Sequence, residues 1–190
     1  RGIWLGGESY KIDKISGQLA TVYTPTETIE EKTVPNIHSI LYWVDRNNVN
    51  GPRPQNPEND PQFELWEAPV KKWVEAQKFD FSGFKIPNTE DTVHKPEFTP
   101  QFTVSGLSEE YYLNSGVSFS IAGTGVYPLF KADLFINDAY IKTSSNRPLT
   151  FSFILNSIKN IKKENKITLV VYDSVLNKNT KTFSLSVKDL

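Results

Sequence analysis

The sequence predicts a mainly β protein: a C-terminal antiparallel sandwich, preceded by a small α+β segment that holds a hairpin and one kinked helix. Three observations carry this reading. Residues 98–190 alternate apolar and polar positions in short runs bounded by turn residues. Residues 58–78 form the one stretch whose apolar positions recur at spacings of three and four. Residues 79–97 hold turn residues throughout and show no period, which reads as a linker. The expected division is therefore 1–78, 79–97 and 98–190.

In chain order, Tyr10 to Tyr23 reads as a hairpin. Ile12 and Ile15 lead into Ser16-Gly17, which supplies turn chemistry, and Leu19 and Val22 continue the return strand. Thr26 to Lys32 is charged and offers no core. His38 to Val44 is greasy and strand-length, so a buried strand is expected there. Asn47 to Pro61 is rich in Asn and Pro and reads as a stiff connection. Asn59 or Asp60 then caps a helix with Pro61 in its first position. Phe63, Trp66, Val70, Trp73 and Val74 fall on one face, while Glu64, Glu67, Lys71, Lys72 and Glu75 stay wet. Pro69 lacks the N–H that would bond residue 65, so a kink is expected there. Phe79, Phe81 and Phe84 in the linker are expected to dock on this helix.

The second half supplies seven period-two runs. They center on Phe98–Val104, Val117–Ile121, Ala132–Ile136, Tyr140–Lys142, Leu149–Leu155, Ile167–Val171 and Phe183–Val187. Turn residues at Gly123–Gly125, Asn137–Asp138, Asn146–Pro148 and Asn177–Asn179 separate several of them. Seven short strands at this spacing match a seven-stranded antiparallel immunoglobulin-like sandwich.

Composition narrows the function classes. The formal net charge is −1; residues 1–78 carry 9 basic and 11 acidic groups, residues 98–190 carry 10 and 7. Neither half has the basic surplus of a nucleic-acid binder. No Cys is present, which removes disulfides, thiolate nucleophiles and cysteine metal sites. No run approaches the roughly 18 apolar residues of a membrane span. Met is absent even at position 1, so a processed or excised piece is expected, with any anchor or upstream domain outside it.

Ile12-Asp-Lys-Ile-Ser-Gly-Gln-Leu-Ala-Thr21 with Tyr23-Thr-Pro25 resembles the C-terminal side of the transpeptidase domain in class A penicillin-binding proteins, the bifunctional glycosyltransferase/transpeptidases of peptidoglycan synthesis. His38 to Asp45, Gly51-Pro-Arg-Pro54 and Asn56 to Phe63, with Trp66 and Trp73, are similar to the tail that follows in some members. The second half also resembles immunoglobulin-like modules of bacterial surface proteins. The resemblance implies an extracytoplasmic place in a bacterial envelope, tethered through an upstream anchor. The expected partners are the upstream catalytic domain and peptidoglycan or another envelope polymer or protein.

The chemistry of that family needs Ser-x-x-Lys opening a helix, then Ser-x-Asn, then Lys-Thr-Gly. Ser82-Gly-Phe-Lys85 fits the first formally but carries Gly83 and precedes Ile86-Pro87, where a helix fails. Ser144-Ser-Asn146 fits the second, preceded by Lys142-Thr-Ser without the Gly. No catalytic residue and no cofactor is therefore assigned, and the chain is expected to be a non-catalytic accessory region.

Other readings are bland. Asp45 to Gly51 has Val49 and Asn50 where a calcium loop needs an oxygen ligand and Gly, so it reads as an Asn-rich turn. His38 reads as a half-buried strand residue and His94 as a linker residue, and no metal site is assigned. Trp43, Trp66 and Trp73 read as packing residues. As surface ligand contacts the sequence offers Tyr111, Tyr112 and Tyr127 in loops of the sandwich, and the basic loop Lys159, Lys162, Lys163 and Lys166. A glycan-binding sandwich using these residues, or an adhesin or stalk fragment, are the alternatives to the accessory role.

Overall fold

The computed structural model describes residues 6–78 and 85–189. It divides into two compact units: Arg1–Ala20 with Ile29–Glu90, and Thr21–Thr28 with Asp91–Leu190. Of the stretch read as a linker, residues 85–90 belong to the first unit and Asp91 onward to the second. Phe79, Phe81, Ser82 and Phe84 lie outside the described residues.

In the first unit, β1 (Gly6–Asp13) pairs antiparallel with β2 (Ile29–Asn36), from Gly6 opposite Asn36 to Asp13 opposite Ile29. The expected turn is present. The Asp13 carboxylate accepts the Ser16 N–H at 2.6 Å, the Asp13 carbonyl accepts the Gly17 N–H at 2.8 Å, and Gly17 sits at φ +70°. A left-handed residue here favours Gly. The return strand, however, is a single bridge of Leu19 to Ile12 with an Ala20 N–H to Lys11 bond. The real partner of β1 is the charged stretch read as coreless. A two-stranded ribbon with wet faces needs little apolar content, so Glu30, Glu31 and Lys32 are no obstacle to β2.

His38–Val44 is not a strand. Ile40–Trp43 makes one helical turn, α1, with only Leu41 buried. Its N–H groups are used locally, Tyr42 to Ser39 at 3.1 Å and Val44 to Ile40 at 2.9 Å, and the Ser39 N–H is taken by a carboxylate. These groups are thus spent locally and not in a ladder.

Helix α2 spans Phe63–Gln77 without a break at Pro69. Pro69 and Leu65 both face solvent, so water can satisfy the Leu65 carbonyl that Pro69 leaves without a donor. The start is two residues later than expected. Pro57–Asn59 forms a 3₁₀ turn, and Asp60 accepts the Gln62 N–H through its carboxylate (2.8 Å) and the Phe63 N–H through its carbonyl (2.9 Å). The buried face also differs: Phe63 and Glu67 are buried, whereas Trp66 is 52% exposed.

The second unit is a β-sandwich. One sheet has the order β4-β10-β9-β6-β7, with β4 Glu110–Tyr111, β6 Leu129–Ile136, β7 Ala139–Ser144, β9 Glu164–Asp173 and β10 Lys178–Val187. The other has the order β3-β5-β8, with β3 Gln101–Ser105, β5 Gly116–Thr124 and β8 Leu149–Ile154. Seven strands coincide with the period-two runs. The eighth, β4, is two residues long and pairs parallel to β10, which alternation cannot reveal at that length. Inward positions such as Val117, Phe119, Ile121, Leu134, Phe151, Ile167 and Leu185 meet in one core, with Phe119 and Phe151 stacked at 5.1 Å. Asn137 and Asp138 both take positive φ, as a tight hairpin turn demands. Gly123 lies inside β5, where a Cβ would come within 2.5 Å of Leu129 Cδ1 and 2.8 Å of the Gln101 carbonyl.

Candidate functional site

The most heavily built polar site lies in the second unit. Residues 21–28 form a closed turn: Thr21 N–H donates to Thr24 Oγ1 (2.9 Å), Tyr23 N–H to Thr21 Oγ1 (3.2 Å) and Thr28 N–H to the Pro25 carbonyl (3.0 Å). This geometry aims the Thr24 hydroxyl inward, where it donates to Asp91 Oδ2 at 2.7 Å. Asp91 Oδ1 accepts the Val93 N–H at 2.9 Å, an Asx turn that folds His94 back onto the same carboxylate. His94 Nδ1 lies 2.6 Å from Asp91 Oδ2, and Nε2 lies 2.7 Å from the Val175 carbonyl. The carbonyl only accepts, so Nε2 donates to it, while Nδ1 faces the carboxylate. Burial alone would raise the Asp91 pKa; the bonds from Thr24, Val93 and His94 outweigh it and hold the carboxyl below its ordinary range.

The turn between β9 and β10 completes the network. Asp173 Oδ1 accepts the N–H groups of Val175 (3.0 Å) and Asn177 (2.9 Å), and Oδ2 accepts the Asn177 amide (3.1 Å). That amide also reaches the Val93 carbonyl at 3.4 Å. Here burial wins over the hydrogen bonds, and the Asp173 pKa is pushed up. His94, read as a linker residue, is 1% exposed.

Chemically this is a fastener. A nucleophilic relay needs the hydroxyl to donate to the base, and the base to be oriented by the acid. Here the Thr24 hydroxyl donates to the acid itself, and the far nitrogen of His94 is committed to a backbone carbonyl.

The first unit has its own buried acid. Glu67 Oε1 lies 2.6 Å from His38 Nδ1, and Oε2 accepts the Ser39 N–H at 2.9 Å. Burial would raise the Glu67 pKa, but the Ser39 and His38 bonds prevail and lower it. His38 stacks on Tyr42 with ring centroids 3.6 Å apart, and the Arg53 guanidinium lies 4.2 Å from the Tyr42 ring and 4.7 Å from that of Trp43. Ser39 Oγ is buried beside the Glu67 carboxylate, whose ionised form the Ser39 side chain also favours. Glu67, expected to be wet, is fully buried because its carboxylate closes the start of α1. Trp43 packs edge-on against Tyr42, in keeping with a packing role, whereas Trp66 is exposed and does not. The Asp45 carboxylate accepts the Asn47 N–H at 2.8 Å, and Gly51 N–H bonds the Asn48 carbonyl, which makes the Asn-rich turn expected there.

The proposed ligand contacts do not form one patch. Tyr111 sits in β4, its hydroxyl accepting the Ser108 N–H at 2.9 Å, and Tyr112 beside it is 59% exposed. Tyr127 lies at the opposite end, in the β5–β6 loop beside the Ser174 N–H to Pro128 bond, edge-on to Phe98. Lys159, Lys162, Lys163 and Lys166 share the end of Tyr111 and Tyr112, through bonds such as Asn156 N–H to Leu113 and Val187 N–H to Lys163. That end also gathers Glu109, Glu110, Asp138, Glu164 and Asp189. Lys166 pairs with Asp138 at 3.3 Å and Lys188 with Glu110 at 2.5 Å. The basic loop is thus balanced by acids from other loops. The second formal serine motif is dispersed too: Ser144 Oγ accepts the Thr150 N–H, and Lys142 Nζ donates to the Ser152 carbonyl.

Above the fastener lies an open cleft of about 440 Å³, walled by residues 22–27, 94–96, Thr99 and 176–178. Val22 (92% exposed) and Tyr23 (60% exposed) stand on its lip. Glu27, Lys95 and Lys178 bring charges of both signs to it. The sequence marks residues of this cleft only as strand, motif, linker or turn positions (Val22, Tyr23-Thr-Pro25, Thr26, His94, Asn177), and none of them as a ligand contact. The signal available was Asp91-Thr-Val-His94, an Asx turn that ends in a second polar group.

Among the described residues no helix is long and apolar enough to cross a membrane. No protein-family model matches the chain, and no curated protein matches it. Among solved structures it is similar to fibronectin(III)-like modules of Clostridium thermocellum CbhA (12% identity, TM-score 0.41, 48% of each chain covered). It is also similar to the T24K superoxide reductase (neelaredoxin) of Ignicoccus hospitalis (14% identity, TM-score 0.36, 52% of this chain and 87% of that one). A third is the spore cortex lytic enzyme SleM of Clostridium perfringens (18% identity, TM-score 0.36, 46% and 28%). The chain thus spans about half the length of the fibronectin-module structure. With every TM-score below 0.5 these likenesses carry no argument, and the sandwich rests on the strand order and register described above.

Proposed function

We propose that the chain is a non-catalytic C-terminal accessory region of a class A penicillin-binding protein, positioned outside the membrane of a bacterium. Its work is to place or dock the synthase in wall assembly, with the upstream catalytic domain and an envelope polymer or protein as partners. The observation that carries the reading is the turn at Asp13–Ala20. Several residues of the family-like motif have a local job there: Asp13 closes on Ser16, Gly17 takes positive φ, and Leu19 and Ala20 return to Ile12 and Lys11. The non-catalytic part is supported by the state of the hydroxyls. Thr24 is spent on an acid, and Ser144 accepts a backbone N–H.

A fluorescent penicillin tests both parts. The natural polypeptide that carries this chain should be acylated, and the 190-residue chain should not. Acylation of the 190-residue chain overturns the non-catalytic role, and a natural polypeptide that resists acylation overturns the family.

A further inference from the structure

We infer that the cleft between the 21–28 turn and the β9–β10 turn is a saccharide-binding site with Tyr23 as its stacking platform. This goes beyond the accessory role and does not depend on it.

The platform is rigid before any ligand arrives. Three bonds close the turn around Tyr23, and Thr24 is fastened to a carboxylate that His94 also holds. An exposed aromatic on a fixed backbone loses little freedom on binding, which is where a weak ligand gains most. With 60% of its surface in water, the Tyr23 side chain is available for contact.

The walls favour a neutral polar ligand over other classes. An extended peptide would need a row of unpaired backbone groups. Here the N–H groups of Thr24, Thr28, Asp173, Val175, Leu176 and Asn177 are all bonded within the turns. A cation would need several converging carboxylates, yet Glu27 is the one carboxylate among the residues lining the cleft. A strongly charged anion would need a cluster of cations, and Lys95 and Lys178 share the rim with Glu27, which leaves a surplus of only one charge. Glu27 is held ionised by a hydrogen bond to its own backbone, with Lys178 and Lys131 adding attraction. What is left is an apolar ring face flanked by a carboxylate acceptor and ammonium donors, in a cleft of small-ligand size. A pyranose presents the matching surface: a flat C–H face and a rim of hydroxyls that both donate and accept.

The test is an NMR titration of the 190-residue chain with β-1,4-linked tetramers of glucose and of N-acetylglucosamine, at millimolar concentration. Amide shifts should concentrate in residues 22–27, 94–99 and 176–178. Tyr23→Ala should weaken binding about tenfold without moving the melting temperature, since the ring is exposed. Tyr112→Ala, at the far end of the sandwich, should bind as the parent does. The inference is overturned if neither tetramer moves these amides, if shifts cluster at Tyr112, or if Tyr23→Ala binds unchanged. It is likewise overturned if a tetra-alanine peptide binds the cleft as well as the sugars do.

Discussion

His94 Nδ1 sits 2.6 Å from Asp91 Oδ2, and neither side chain has any surface in water. The same carboxylate oxygen receives the hydroxyl of Thr24, 67 positions earlier in the chain. A polar pair at the surface is worth little, but a buried one is expensive to break, because the partner left behind has no water to turn to.

Asp91→Asn is therefore expected to destabilise the second unit by about 3–5 kcal/mol. Thr24→Val should cost less, about 1–2 kcal/mol, since it removes one neutral donor from a carboxylate that keeps its others. Urea unfolding followed by far-UV circular dichroism measures both.

Acid should unfasten this network in a defined direction. Asp91 has its pKa lowered in the fold, so its contribution is complete above the ordinary aspartate value, about 3.9, and is lost as pH falls through the lower folded value. Asp173 has its pKa raised, so its effect has the opposite sign. The fold is favoured below the ordinary value, and that advantage fades as pH rises through the raised one. Urea midpoints between pH 2 and 6 (roughly the span around these values) should fall less steeply toward acid in Asp91→Asn than in the parent. In Asp173→Asn, the loss with rising pH should vanish.

Glu67→Ala should destabilise the first unit by about 1–3 kcal/mol, because it strands the buried Ser39 N–H and takes the partner from the half-buried His38 ring. The parent's advantage should be present above the ordinary glutamate value and lost as pH falls through the lowered one. All four tryptophans lie within residues 1–90, so their fluorescence reads this unit selectively.

Pro69→Ala should stabilise α2. The helix already runs through Pro69, so alanine restores a donor without changing the path, and a gain of about 1–3 kcal/mol is expected. A rise in the fluorescence-detected melting temperature checks it; a fall would mean that the proline ring makes a contact of its own.

The sandwich was legible because its signal is local. Strands such as Ala132–Ile136 and Ile167–Val171 have one wet and one dry face, and the period survives any tertiary arrangement. The first unit was legible only in its turn and its helix. β2 hides its strand character behind Glu30, Glu31 and Lys32, and α1 looks like a strand because Leu41, Tyr42 and Trp43 are contiguous. Glu67 occupies a position that helical spacing marks as near the core, yet its charge argued for water. Nothing local says that Ser39 and His38 will meet it. The fastener was hidden for the same reason: Thr24, Asp91, His94 and Val175 are brought together only by the fold.

The buried Asp91–His94 pair fastens the second unit. A double-mutant cycle on Asp91 and His94 tests it most directly, using Asp91→Asn, His94→Ala and the pair in urea unfolding. The structural account expects each single change to cost several kcal/mol, the double to cost little more than either, and so a coupling of about 2 kcal/mol or more. Additive single changes, or singles that leave the urea midpoint in place, would contradict it.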